Sequence, residues 1–308
     1  MTVGIPQAFL YHRYHVLWES FFAALGIEVV KSGPSDKKKE EAGTRYAIDE
    51  SCLSNKIYLG HVEALIGKCD AIFVPRIANY GNGSILCTKF EALYDIVQNT
   101  FREQGIKLVD MNVDYKRDKG ELGAFQKLGK QLGKKRTQST YAYILAKQMY
   151  QNHLAEEVRK QMLKLNRRGM KILVVGHSYN VYDALIGQPV IKMLEEMGAV
   201  PIIADVVDKK EALTRATELT DTLPYLYNRE LVGSVQIYRD QVDGIILLSA
   251  FPCGPDALVN DILQRRVKGK PMLTLLMDNQ EGSAGMETRM ESFLDIIQFQ
   301  KEGGMKSA

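Results

Sequence analysis

The sequence predicts an α/β protein with two parallel-sheet domains of flavodoxin or Rossmann type, a helical segment between them, and a ligand site in the cleft where the two domains meet. Three observations carry this reading. Short runs rich in Val, Ile and Leu alternate with longer amphipathic runs, the pattern of strands buried between covering helices. Two of the helical runs end on a glycine, Gly26 and Gly198, where a helix C-terminus favours that residue. The second half of the chain repeats the order of elements found in the first.

Taken in order, "TVGIPQAFL" (2–10) reads as the first strand, "HVLWESFFAALG" (15–26) as a helix and "IEVVKS" (27–32) as the next strand. "CDAIFVPRI" (69–77) is a third strand, "TKFEALYDIVQNTFREQG" (88–105) a helix and "IKLVDMNVD" (106–114) a closing strand, which completes a domain over residues 1–122. Residues 123–168 are rich in Lys and Gln and read as a helical linker. The grammar then restarts over 169–308 with "MKILVVGHSYNVYD" (170–183), an apolar strand of the kind buried on both faces. A helix at 188–198, a strand at 199–205, and two further strand–helix pairs (242–251 with 255–269, 270–278 with 285–303) finish the second domain.

The halves read as versions of one unit. "DAIFVPRI…ILCTKFEALYDIV" parallels "DGIILLSAFPCGPDALVNDIL": an acid, a buried strand, a loop with a cysteine, then an amphipathic helix. Cys87 and Cys253 are therefore equivalent, and histidines follow the first strand of each half, His12 and His15 in one and His177 in the other.

Composition narrows the function. With 308 residues, 45% of them hydrophobic, the chain can bury two ordinary cores, and a net charge of +3 gives no electrostatic case for nucleic acid or a membrane surface. No apolar run approaches the roughly 20 residues that span a bilayer, and the opening "MTVGIPQAFLYHRYH" lacks the order of a signal peptide, so a cytoplasmic location is expected. "GHSYNVYD" is neither a phosphate-binding P-loop nor a dinucleotide fingerprint, which argues against ATP hydrolysis and Rossmann-type NAD binding.

The four cysteines suit a reducing compartment, where thiols serve metals or catalysis more than disulfides. Ligands of open parallel sheets bind beyond the carboxyl ends of the strands. Cys87 and Cys253 sit in strand-to-helix loops at that edge, and Cys52 opens the helical run "LSNKIYLGHVEAL". Helix N-termini lower thiol pKa and stabilise thiolates. Three such thiolates suit three irons of a [4Fe-4S] cluster whose fourth iron takes a ligand other than cysteine; the competing reading is zinc with three sulfurs and one of His12, His15 or His177. Otherwise these histidines hydrogen-bond to the groups around the cluster or donate a proton to a bound substrate, and as ordinary residues they belong to core or surface. Cys69, just before a strand and thus at the opposite end of the sheet, reads as packing, and Asp183 as a helix N-cap.

"AIDESCLSNKIYLGH", "FVPRI…CTKF…DIV", "GHSYNVYD" and "FPCGPDALVNDIL…KPMLTLLMD…AGMETRMESF" resemble the 2-hydroxyacyl-CoA dehydratase superfamily, in its acyl-CoA dehydratase activase-related (CoA-substrate-specific enzyme activase) branch. The resemblance implies two flavodoxin-like domains with a [4Fe-4S] cluster between them on Cys52, Cys87 and Cys253. It implies electrons from a separate ATP-dependent iron–sulfur activator, delivered to an acyl-CoA for radical dehydration, or, in relatives with a double-cubane cluster, reduction of small molecules. A homo- or heterodimer with a related subunit would also follow, with the alternative of a non-catalytic binding or assembly partner. The chain departs from the pattern at Asp278, Asn279 and Gln280, where relatives commonly read Asp-Glu-His, and Ser54, Thr88 and Ser178 replace prolines. Those departures point to a changed substrate or to loss of dehydratase activity.

Overall fold

The computed structural model describes residues 1–81, 83–278 and 283–305. The chain divides into two compact units, Met1–Glu156 with Pro224–Leu226, and Glu157–Leu223 with Tyr227–Ala308.

The first unit runs β1 (Thr2–Ile5), α1 (Tyr11–Ala24), β2 (Glu28–Lys31), α2 (Lys37–Tyr46), α3 (Leu53–Glu63), β3 (Ala71–Asn79), α4 (Thr88–Glu91), α5 (Leu93–Thr100), β4 (Leu108–Asp114), α6 (Glu121–Gln131) and the start of α7 (Arg136–Leu165). Its four strands are parallel in the order β2-β1-β3-β4, with Val3 beside Val29 and Ala71, and Phe73 beside Val109. Aromatic rings fill one face: Phe73 meets Trp18 and Phe22 edge-on at 5.1 and 5.4 Å, and Phe21 meets Phe125 at 4.7 Å. Such edge-to-face pairs add to simple area burial.

The second unit takes the rest of α7 and then β5 (Lys171–Val175), α8 (Ser178–Val181), α9 (Gln188–Glu196), β6 (Val200–Ile203), α10 (Lys209–Ala216), α11 (Leu226–Tyr238), β7 (Gly244–Ala250), α12 (Gly254–Arg266), β8 (Met272–Met277) and α13 (Ser283–Met305). Its order, β6-β5-β7-β8, reproduces that of the first sheet, all parallel. Alternate strand residues feed two cores, as a period of two demands. Leu173, Val175, Ile245 and Leu247 pack with Ala212, Val232, Val235 and Leu263, while Ile172, Val174, Ile246 and Leu248 pack with Val190, Leu194, Met290 and Phe293. Gln161 ties α7 to this unit: it donates to the carbonyls of Ile203 and Val206 at 2.9 and 2.6 Å and accepts from the Ile203 amide at 2.8 Å.

In both sheets the strand order reverses beside the first strand, between β1 and β3 and between β5 and β7. This is the switch point where the loops leaving adjacent strands diverge and open a crevice.

Several elements differ from expectation in detail. The strand expected over 2–10 stops at Ile5, since Pro6 follows and Phe9 has a left-handed φ of 50°. The helix expected over 88–105 is broken at Ala92 into α4 and α5 and ends in a 3-10 turn. The linker consists of most of α6 and all of α7, separated by Gly133 at φ 72°. Asp183 bonds the amides of Leu185 and Ile186, at 2.8 and 3.3 Å, and so closes a turn; the residue that caps α9 is Gly187. Helices α2, α10 and α11 were not foreseen. Asn279 and Gln280 lie outside the described residues. No helix among the described residues is long and apolar enough to cross a membrane.

Candidate functional site

Each of the three candidate cysteines occupies the N-cap position of a helix. Cys52 caps α3 in an extended conformation, and its carbonyl accepts from the Asn55 and Lys56 amides at 2.9 and 3.1 Å. Cys87 caps α4 and accepts from Phe90 and Glu91. Cys253 caps α12 and accepts from Ala257 at 3.0 Å. None of the three side chains makes the capping bond that Ser, Asp or Asn would make there, and all three are half-buried. An N-cap sulfur stands beside amides that have no partner within the helix, and their partial positive charge favours a thiolate. None of the cysteines is in a disulfide.

The loop that delivers Cys87 is built by local hydrogen bonds. Beyond β3 the chain turns through Gly81 and Gly83, both left-handed, with Ser84 donating to the Gly81 carbonyl at 2.7 Å and Tyr80 to Ser84 at 3.1 Å. Asn79 anchors its base: the side-chain amide donates to Asp114 at 2.6 Å, and the side-chain oxygen accepts from the Gly81 and Lys116 amides. Leu86 then bonds back to Ala78, and Ile85 pairs with Tyr225 and accepts from Leu226.

In the second unit, Cys253 and His177 come from the two loops that flank the switch point, after β7 and β5. Pro252, Gly254 and Pro255 surround Cys253, and the Phe251–Pro252 peptide is cis. His177 Nε2 lies 2.9 Å from Oδ1 of Asp256, one turn into α12, and both side chains are buried. An aspartate only accepts, so this bond assigns the proton to Nε2. The second Asp256 oxygen, also buried, has no hydrogen-bond partner among the described residues. Tyr179 stacks on the imidazole at 4.9 Å, Tyr227 meets it edge-on at 6.4 Å, and the Asn228 amide donates to the Pro255 carbonyl at 3.0 Å. Sequence reasoning identified His177 but missed Asp256, a residue 79 positions away that only the fold brings to it.

The two candidate histidines of the first unit, His12 and His15, are both shifted towards the neutral form. Burial, aided by the neighbouring His15, lowers His12 to about 4. Burial likewise lowers His15, with His153 adding to it at a ring distance of 5.5 Å. A neutral imidazole can ligate a metal or accept a proton, but it has no acidic proton to deliver near neutral pH. His61, not singled out beforehand, is fully buried between Ser32 (2.7 Å to Nδ1) and Ser35 (2.9 Å to Nε2), and burial, with Lys39 nearby, lowers it to about 3.

Cys69 precedes β3, whereas Cys87 follows β3 and Cys253 follows β7. Its thiol points to the Leu65 carbonyl at 3.6 Å and packs so closely on β1 that a Cβ at Gly4 would meet its sulfur at 2.6 Å. Burial pushes this thiol up. Cys52 and Cys87 belong to the first unit and Cys253 to the second. Among the described residues no three His, Cys, Asp or Glu side chains form a group that would hold a metal ion.

Residues 2–207, more than half of the chain, match a protein family described as the CoA enzyme activase uncharacterised domain. The matched span contains Cys52, Cys87 and all three candidate histidines and stops short of Cys253 and Asp256. Among curated proteins none matches the chain.

Proposed function

Because the chain belongs to the family of the CoA enzyme activase domain, we propose that it is an iron–sulfur protein of a CoA-dependent enzyme system. In this reading Cys52, Cys87 and Cys253 hold a [4Fe-4S] cluster. Electrons come from a separate ATP-dependent activator and serve the reduction or radical dehydration of a small substrate, for which the family description favours an acyl-CoA.

The observation that carries the reading is positional. Cys87 and Cys253, which the sequence puts in strand-to-helix loops, and Cys52, which it puts at the start of a helical run, each stand as the N-cap of a helix, without a side-chain capping bond. Thiolates are the ligands of iron–sulfur clusters, and helix N-termini are where the backbone stabilises them.

When bound, the cluster would supply one-electron chemistry and an open iron. The chain's own residues do the rest. The N-cap amides hold negative charge on the sulfurs. Asp256 fixes the imidazole of His177 in the Nε2–H form, three residues along α12 from Cys253. Tyr179 and Tyr227 fix the plane of that ring. Such second-layer bonds orient groups around a metal and set their basicity.

Anaerobically purified protein should contain iron and acid-labile sulfide in equal amounts, at cubane stoichiometry, with a reducible brown chromophore. Zinc without sulfide would overturn the reading.

A further inference from the structure

We infer that residues 225–228 are a positioning segment that couples the loop carrying Cys87 to the loop carrying Cys253. The chain passes from one compact unit to the other within this stretch: Pro224–Leu226 belongs to the first unit, and the chain from Tyr227 onwards to the second. On the first side, Tyr225 pairs in parallel with Ile85, and the Leu226 amide donates to the Ile85 carbonyl at 2.9 Å. Ile85 also pairs with Asn79, the last residue of β3, and stands two positions before Cys87. On the second side, Tyr227 meets the ring of His177 edge-on at 6.4 Å. The side-chain amide of Asn228 donates at 3.0 Å to the carbonyl of Pro255, two positions after Cys253.

Each of these contacts lies within one unit, so the connection from one cysteine loop to the other is the peptide chain itself. That connection is short and stiff. Leu226 is the first residue of α11, and in a helix the rise from it to Asn228 is only about 3 Å. Leu226, Tyr227 and Asn228 are all buried. A displacement of the Cys87 loop is therefore passed to a packed helical turn, where a solvated linker would absorb it. The positioning role rests on the cluster reading, because a cluster held by thiolates of both units needs both loops fixed; the coupling itself needs no metal.

The test is the alkylation rate of each thiol in the full chain, reduced and freed of metal by a chelator, read by mass spectrometry of the cysteine peptides. Leu226→Pro deletes the amide that bonds Ile85. Proline is tolerated at the first position of a helix and favours an extended conformation in the residue before it, which here pairs with Ile85. Leu226→Ala removes the same side chain and keeps the amide. Leu226→Pro should speed alkylation of Cys253, in the other unit, at least about threefold, the scale on which one hydrogen bond shifts a local opening, and Leu226→Ala should leave it unchanged. Asn228→Ala should act reciprocally and speed Cys87 at least about threefold. Circular dichroism identifies the variants that fold, and if Leu226→Pro does not, Asn228→Ala decides alone. Absence of either cross effect in a folded variant, or equal rates in Leu226→Pro and Leu226→Ala, would overturn the coupling. Iron and acid-labile sulfide in the wild type decide the cluster reading separately. Where they are present, a chelator should strip iron from Asn228→Ala at least about threefold faster than from wild type, and equal rates would overturn the positioning role.

Discussion

Acidification should weaken the first unit through His61, and the effect can be isolated with one substitution. The imidazole is fully buried between Ser32 and Ser35, with its pKa lowered to about 3, whereas in an unfolded chain it titrates near 6.5. The unfolded state therefore binds the extra proton first. The stabilisation from a neutral His61 is present above the unfolded pKa and is lost progressively as pH falls below it, towards the folded value. Between about pH 7.5 and about pH 5 the folded form stays neutral while the unfolded form becomes almost fully charged, a loss of about 2 kcal/mol. His61→Gln keeps a polar side chain between the two serines and removes the titration. Trp18, the chain's single tryptophan, lies in the core of the same unit, so urea denaturation followed by its fluorescence reports this unit. The wild type should lose about 2 kcal/mol more than the variant over that pH interval, since the contribution of the buried His12 is common to both. Equal losses in the two proteins would refute the reasoning.

Two further perturbations test the packing that places the site. Helices α2 and α3 touch at glycines: a Cβ at Gly60 would lie 1.8 Å from the Lys39 carbonyl, and one at Gly43 would lie 1.7 Å from that of Lys56. Backbone cannot yield as a side-chain tip can, so Gly60→Ala or Gly43→Ala should cost at least about 3 kcal/mol in urea denaturation and separate the two helices. Asp256→Ala removes the partner of a buried imidazole and should cost about 1–3 kcal/mol, with Asp256→Asn closer to wild type; thermal unfolding of the purified variants reads both.

Much of the fold was legible because parallel strands buried on both faces appear as uninterrupted apolar runs. The segments around Val3, Phe73, Val174 and Ile246 are of this kind, and the repeat of two halves is matched by two sheets of identical strand order. Helix α2 was illegible because "KKKEEAGTRY" presents no apolar stripe; Asp36, which caps it at 2.9 Å, was the available sign. Helix α10 carried the same sign in Asp208, whose carboxylate accepts from Glu211 at 2.8 Å. The N-cap placement of Cys87 and Cys253 followed from strand-to-helix junctions that a single sequence displays, and that of Cys52 from the amphipathic run it opens. Asp256 could not be paired with His177, because a contact across 79 residues leaves no local pattern. The lowered pKa values of His12 and His61 come from burial, which depends on how helices pack and not on neighbours in the chain.

The central claim is that three particular thiols hold the cluster and the fourth does not. The direct test is iron and acid-labile sulfide per chain in anaerobically prepared Cys52→Ala, Cys87→Ala, Cys253→Ala and Cys69→Ala proteins, with circular dichroism as the check on folding. The first three should stay folded, because two sizeable α/β cores do not depend on a metal, yet lose stoichiometric iron and the brown chromophore. Cys69→Ala should keep both and lose about 1 kcal/mol of stability. Full iron and sulfide in the Cys52→Ala or Cys253→Ala protein would contradict the account.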